Sequence, residues 1–509
     1  MYRKPLPRVS PEQVGISSRM LLSMFRELES ATEMHGFMLA RHGQVAAEAW
    51  WAPYTPQLPH ICHSLGKSYV GTAVGLACTQ GYLHLEDRIV DLFADEIRQW
   101  NIPVTENLAG LTIEHQLMMA NGMSFHAASG ENLLRNYLTT EVDHAPGERF
   151  LYTTTGSCML GAAVMRAVGK PIRQYVTEEL FNRIGIANDE LEWMPFHGNG
   201  VHAAPGVATT AENNLRLGML YLNYGKWEGE QLIDFSWRER ATTRRIRTEE
   251  INKASHTDSG AGYGYQLWIC PEEGTFKFSG GHGQDTIMCR PNDLVISFLG
   301  GMNDGMYKRT TEIVSRYLLS QKLSDMPLPE DPDSVRELKA YLDSRQLADR
   351  KTGSLPVHAE EWSGLYRVTE GEFHVGTELR PLDDHNVYTD FYDHEDVNAR
   401  FLSLDVKDKY IDIVLDDGTI RTVLRAWLDG KLRPVATCGP IPIYRQTVST
   451  AHIAEDGALV IETKFLQTAF WTIIRLHRTS QGLEAEVLKE RLHEDNPYIH
   501  QAATLQKIL

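Results

Sequence analysis

The sequence predicts an α+β fold in which a mixed helical and stranded segment precedes a β-rich one. Three observations carry this. Residues from about 10 to 322 alternate between helix-periodic and strand-like runs. The stretch "SDMPLPEDPDS" at 324–334 is acidic, carries three prolines and has linker composition. From about 359 onward, short β-like runs recur between turn signals such as Asp416-Asp417-Gly418 and Asp429-Gly430. That spacing fits an antiparallel barrel or sandwich. The implied division is 1–323, a linker at 324–358 with a helix near 333–347, and a β-rich domain at 359–509, barrel or lipocalin-like.

Taken in order, "GFMLARHGQVAAEAWW" (36–51) reads as two strands around a turn at His42-Gly43. "SYVGTAVGLACTQG" reads as a buried helix stopped at Gly81. The run from Thr153 to Gly185 gives two helices divided at Gly169-Lys170-Pro171. "GYGYQLWIC", "TFKFSGG" and "TIMCRPNDLVISFLGG" (262–301) alternate like antiparallel strands. Residues 308–323 then supply a closing helix.

Composition excludes several functions. The chain has 509 residues, a formal net charge of −17, 42% hydrophobic and 23% charged residues, which is soluble and globular in character. Such a balance argues against a nucleic-acid partner. The basic run "RERATTRRIR" (238–247) is expected to be solvated or subunit-facing. No signal-peptide pattern and no stretch of the roughly 18 apolar residues of a membrane span occur, so a cytoplasmic location is expected. Six cysteines without CxxC spacing read as free thiols. No metal-ligand cluster is found, and the glycines at 260–264 precede a strand rather than a helix, so neither metal nor cofactor is expected. The expected partner is a small-molecule or peptide substrate; a homo-oligomer is left open.

The chemistry centres on Ser64-Leu65-Gly66-Lys67. A serine hydroxyl needs a base within hydrogen-bond reach. A lysine three residues on, at a helix start, lies one turn away on the same face. The helix N-terminus also offers N–H groups to an oxyanion. Burial makes such an amine neutral enough to act as base. Ser-x-x-Lys arises by chance roughly once in a chain of this length, so its companions decide. "APGERFLYTTTGSCMLG" (145–161) sets Tyr152 two residues ahead of Thr154, between a turn and a helix. "FKFSGGHGQDTIMCRPNDLVI" sets His282 between glycines at a strand junction, where close approach to a ligand is allowed.

With these landmarks in this order, the chain resembles the serine β-lactamase and penicillin-recognising family, in the class C branch. That branch includes DD-peptidases, D-aminopeptidases, esterases and 6-aminohexanoate-dimer hydrolases. The resemblance covers roughly 10–322. It implies an antiparallel sheet flanked by helices, with an all-helical lobe between the first and second motifs. It implies that Ser64 forms an acyl-enzyme, with Lys67 and Tyr152 as general base and acid. Thr154, His282, Gly283, Gln284 and Asp285 would line the substrate site. The oxyanion hole would use the N–H of Ser64 and of the strand near Gln284–Asp285. Thr154 stands where the family has Asn or Ser, and His-Gly-Gln replaces Lys-Thr-Gly or His-x-Gly. A neutral histidine suits a carboxylate-bearing β-lactam less than a lysine does. Lys351-Thr352-Gly353 spells the usual third motif, but in a polar linker with no strand leading in; it is read as chance. The expected function is D-aminopeptidase-like hydrolysis of a small amide, peptide or ester. A carboxylesterase or β-lactamase is the alternative, and a catalytically silent binder of peptide or cell-wall fragments the remaining one.

Overall fold

In a computed structural model of the chain, β1 (Met34–Arg41) and β2 (Gln44–Trp50) meet at a turn where His42 has φ 52° and Gly43 φ 72°. Two successive left-handed residues make the tight turn that matches strand twist. The structure describes residues 4–124, 132–195, 202–248, 261–352, 359–375, 397–419, 421–437, 446–469, 471–490 and 498–509. Gly260, Gly353, Cys438 and the linker end at 353–358 lie outside the described residues. Two units are distinguished: Met1–Trp50, Pro56–Gly300 and Asp304–Arg345 form one; Trp51–Thr55, Gly301–Asn303 and Gln346–Leu509 form the other.

Along the first unit follow β3 (His60–Ile61), β4 (Leu191–Pro195), β5 (His202–Thr209), the small hairpin β6 (Lys226–Trp227) and β7 (Glu230–Gln231), β8 (Trp268–Ile269), β9 (Thr275–Gly280), β10 (Gln284–Cys289) and β11 (Leu294–Gly300). The main sheet has the order β2-β1-β11-β10-β9-β8 and is antiparallel throughout. Register assigns its faces. Phe37, Phe298, Asp285, Ser279 and Lys277 share one face. There α1 (Ser18–Ala31) sets Phe25 edge-on to Phe37 at 4.9 Å.

The other face carries Thr286, Met288 and Val295. It is covered by the helix Ala211–Leu222, whose Gly218 fits where a Cβ would stand 2.8 Å from Thr286 and Val295. Covered on both faces, β1 and β11 are buried along their whole length.

The serine-bearing segment runs into α2 (Gly66–Thr79), buried from Gly66 to Ala77. A helix apolar all round belongs inside a domain. Every described element from Gly66 to Glu190 is helical, among them α3 (Thr154–Val168), which ends at Gly169 with φ 68°. α4 (Ala211–Leu222) packs beside α2 through Tyr69 Oη on Asn214 Oδ1 at 2.8 Å. The closing helix is α5 (Asp304–Val314), prolonged by a π-turn at Ser315–Leu319.

Two expectations change. The run at 262–270 is strand only at Trp268–Ile269, because Gly262 (φ 124°) and Gln266 (φ 57°) turn the backbone out of the extended region. The basic run is not solvated throughout. Arg238 is fully buried with Nε on the Tyr221 carbonyl at 2.5 Å, and Arg240 and Arg245 both turn onto Glu114. No described helix is long and apolar enough to cross a membrane.

In the second unit, β12 (Gly364–Gly371), the short pair β13 (His374–Val375) and β14 (Val397–Asn398), β15 (Phe401–Val406), β16 (Tyr410–Asp416), β17 (Arg421–Trp427), β18 (Val435–Ala436), β19 (Gln446–Ile453), β20 (Leu459–Phe465), β21 (Trp471–Arg478), β22 (Gly482–Glu490) and β23 (Tyr498–Lys507) follow. The order β17-β16-β15-β12-β23-β22-β21-β20-β19 closes through a β17–β19 pairing, giving a nine-stranded barrel among the described residues. The closing pair is parallel, Ala426 with Ser449 and Trp427 with Thr450; the other ladders are antiparallel. Ile411, Ile413 and Leu415 alternate inward along β16, as strand periodicity requires.

Candidate active site

Ser64 sits on a single 3₁₀ turn, His63–Leu65, between β3 and α2. β3 is fixed by pairing His60 with Thr209 and Ile61 with Ala208 of β5, and Cys62 N donates to Val207 O at 2.8 Å. His63, just before the serine, holds φ 47°, an uncommon conformation for a residue with a side chain. Such strain persists only where surroundings impose it.

Part of that constraint comes from β9. A Cβ on Gly280 would lie 2.1 Å from the Cys62 carbonyl and 2.9 Å from Leu65 N. Only glycine lets the strand end lie this close to the turn. β8 pairs with β9 only at Phe276 and Lys277, so among the described residues no strand covers the outer edge at Phe278–Gly280, whose end reaches the serine turn.

Lys67 Nζ lies 2.8 Å from Ser64 Oγ. Lys67 is 1% exposed, and burial pushes its ammonium down from 10.5 to about 7. Spacing of three along the helix start places the amine on the hydroxyl. The Tyr152 ring centroid stands 4.8 Å from Lys67 Nζ. Tyr152 stacks on Trp268 at 5.3 Å and meets Tyr263 edge-on at 6.2 Å, which fixes the plane of its ring. Two residues on, Thr154 opens α3 with its side chain buried.

His282 occupies the tight turn after β9 with φ 69°, beside Gly283 at φ 85°. Its ring packs edge-on to His63 at 4.8 Å, joining the Gly-rich turn to the serine turn. Burial, then Lys67, pushes His63 down to about 3, so that ring is neutral at working pH. The structure thus brings Ser64, Lys67, Tyr152 and His282 together.

Gln284 and Asp285 are placed elsewhere. β10 lies inside the sheet between β9 and β11. Gly280, the last residue of β9, lies against the serine turn. Gln284 Nε2 donates to the carbonyls of His282 (3.0 Å) and Gly300 (2.8 Å), and Gly300 N donates back to Oε1 at 3.3 Å. Its amide clamps the His282 turn to the end of β11. Asp285 points to the α1/α5 face, where its Oδ2 accepts from Tyr307 Oη (2.7 Å) and Lys277 Nζ (3.3 Å). Lys351 is an exposed residue of the second unit.

Sequence reasoning missed Gly280, read only as part of a glycine run, and Gln266. The Gln266 side chain takes the Ser157 hydroxyl at 2.6 Å and donates to the carbonyls of Gln116 and Leu117, each at 3.1 Å. Its carbonyl takes the Ser68 hydroxyl at 2.6 Å, so one residue ties α2 to α3. No local signal marks it. Among the described residues no group of His, Cys, Asp and Glu could hold a metal ion.

The α+β fold with its antiparallel main sheet agrees with the family comparison. The family model described as Beta-lactamase matches residues 26–305, and the chain belongs to that hydrolase family. The 6-aminohexanoate-dimer hydrolase of Paenarthrobacter ureafaciens is 23% identical over 292 residues, covering 53% of this chain and 72% of the relative. The β-lactamase of Escherichia coli (strain K12) is 20% identical over 255 residues; the match spans 47% of this chain and 65% of that protein. The octameric penicillin-binding protein homologue from Pyrococcus abyssi covers 96% of this chain and 99% of its own at 14% identity, with a TM-score of 0.45.

Proposed function

We propose that the protein is a serine hydrolase that cleaves a small amide, peptide or ester through a Ser64 acyl-enzyme, in the manner of a D-aminopeptidase. The observation that carries this is Lys67 Nζ at 2.8 Å from Ser64 Oγ, in a buried setting that brings the amine to about 7. Neutral Lys67 takes the Ser64 proton as Oγ bonds to the substrate carbonyl carbon. The N–H of Ser64 and an outward N–H at the end of β9 hold the oxyanion. Thr275 O accepts from Cys270 N on the outer side of β9, and strand alternation then points the Ser279 amide outward, Gly281 following just past the strand end. We assign Gly281 as the second donor. Tyr152, beside Lys67, passes the proton to the leaving amine or alcohol. Water then attacks the acyl-enzyme, its proton returning through Lys67, and Ser64 is released. The neutral His63 ring beside His282 supports substrates that need no carboxylate anchor.

The test is hydrolysis of p-nitrophenyl esters and D-aminoacyl p-nitroanilides across pH. Below pH 7 the rate should fall about tenfold per pH unit as Lys67 protonates. Lys67→Arg should be inactive at every pH, since guanidinium stays charged. An Arg variant with wild-type rate would remove the base role.

A further inference from the structure

At the His42-Gly43 end of the main sheet lies a cavity of about 900 Å³. None of Ser64, Lys67, Tyr152 or His282 lines it. Val295, in its wall, stands five residues along β11 from Gly300, which holds the His282 turn through Gln284. At the rise of a strand that separation is about 17 Å. The floor is apolar, built by Leu6, Ala40, Ile184, Met219, Leu222 and Val295 from segments far apart in sequence.

Bonds hold the walls in place. Arg216, 2% exposed, donates Nη1 to the Ile184 carbonyl at 3.0 Å and Nη2 to the Lys4 carbonyl at 2.7 Å. Lys4 Nζ reaches Glu228 Oε1 at 2.6 Å, and Val45 N donates to Pro7 O at 2.8 Å. The N-terminal segment is thus tied to α4, to the β6–β7 hairpin and to β2, and the cavity is preformed. Its volume suits a ligand with an apolar body and a few charged or polar ends.

Charge narrows the choice. Most charged groups in the lining are paired: Lys4 with Glu228, Arg183 with Glu230, Arg216 with Glu212 and His42 with Asp293. The Lys226 ammonium and the Asp189 carboxylate carry no ion pair or side-chain hydrogen bond among the described residues. One charge of each sign is left over. A fatty acid would satisfy Lys226 and bring a like charge to the cavity that holds Asp189; an alkylamine would do the reverse. A molecule with an ammonium and a carboxylate on an aliphatic body answers both, and like-charge conflict is avoided.

We propose that this cavity binds a short aliphatic peptide as its zwitterion, with the carboxylate on Lys226, the ammonium on Asp189 and the side chains on the apolar floor. The site is separate from the one around Ser64, and the proposal does not rest on the hydrolase reading.

Binding is measured by titration calorimetry on full-length Ser64→Ala protein, so that no peptide is consumed. The probes are leucyl-leucine, its C-terminal amide and its N-acetyl form. Leucyl-leucine should bind with a Kd below about 2 mM, as the ordinary efficiency of a ligand of this size gives. Lys226→Gln should weaken leucyl-leucine and the N-acetyl form about two- to fivefold and leave the amide unchanged. Asp189→Asn should weaken leucyl-leucine and the amide by a similar factor and leave the N-acetyl form unchanged. Met219→Trp, which fills the floor, should weaken all three peptides. If that variant does not fold, the two charge variants at exposed positions decide alone. A Kd above about 2 mM, a charge variant that moves all three peptides alike or none of them, or a folded Met219→Trp with undiminished binding would overturn the proposal.

Discussion

Replacing Lys67 by Met should make the protein more stable, by an amount set by pH. The side chain keeps its length and apolar stem while losing the charge. In the folded chain burial holds the ammonium near 7 rather than 10.5, a difference worth about 5 kcal/mol between protonation states. Below pH 7 both folded and unfolded chains carry a protonated Lys67, so the full penalty destabilises the wild type. Between pH 7 and 10.5 the folded chain is neutral there and the unfolded chain is not. The unfolded state then binds the extra proton, and wild-type stability rises with pH by about 1.4 kcal/mol per unit. Above 10.5 the penalty is gone. The advantage of Lys67→Met should thus be up to about 5 kcal/mol at pH 6, less about 1 kcal/mol for the lost hydrogen bond with Ser64, and should shrink steadily towards pH 10. Urea titrations of both proteins at pH 6, 8 and 9.5 measure it, and the difference cancels every titration they share. A difference flat across pH 7 to 10 would refute the buried, neutral amine.

Gly280→Ala should abolish Ser64 labelling while the barrel unit keeps its β-sheet signal, because the added methyl would stand 2.1 Å from the Cys62 carbonyl; retention of more than a tenth of the labelling rate would contradict the close approach. His282→Ala should lower kcat/KM by about 1–4 kcal/mol in transition-state terms without unfolding. Lys351→Ala should change it by less than about 0.5 kcal/mol, as for other exposed residues; the reverse pattern would move the third motif to Lys351.

The sequence made the local part of the site legible. Ser64 and Lys67 are three residues apart on one helix start, so spacing alone predicts their contact. The hairpin at His42-Gly43 and the helix stop at Gly169 follow from turn and cap chemistry in the same way. What depends on packing between distant segments was not legible. Gly280 matters because of where the Cys62 carbonyl falls, over 200 residues away, and Gln284 because Gly300 lies beside it. Barrel closure through β17 and β19 is a matter of shear, which no single strand encodes. The family resemblance supplied the order of motifs. It pointed to Gln284–Asp285 for the oxyanion donor; these residues lie on β10, just past the tight turn at His282.

The central claim is that Ser64 is the covalent nucleophile. Full-length protein treated with a fluorophosphonate, digested and sequenced by mass spectrometry, should carry one adduct, on the Ser64 peptide, and Ser64→Ala should carry none. An adduct on another residue, or an unlabelled Ser64 in protein that still hydrolyses the p-nitrophenyl ester, would contradict it.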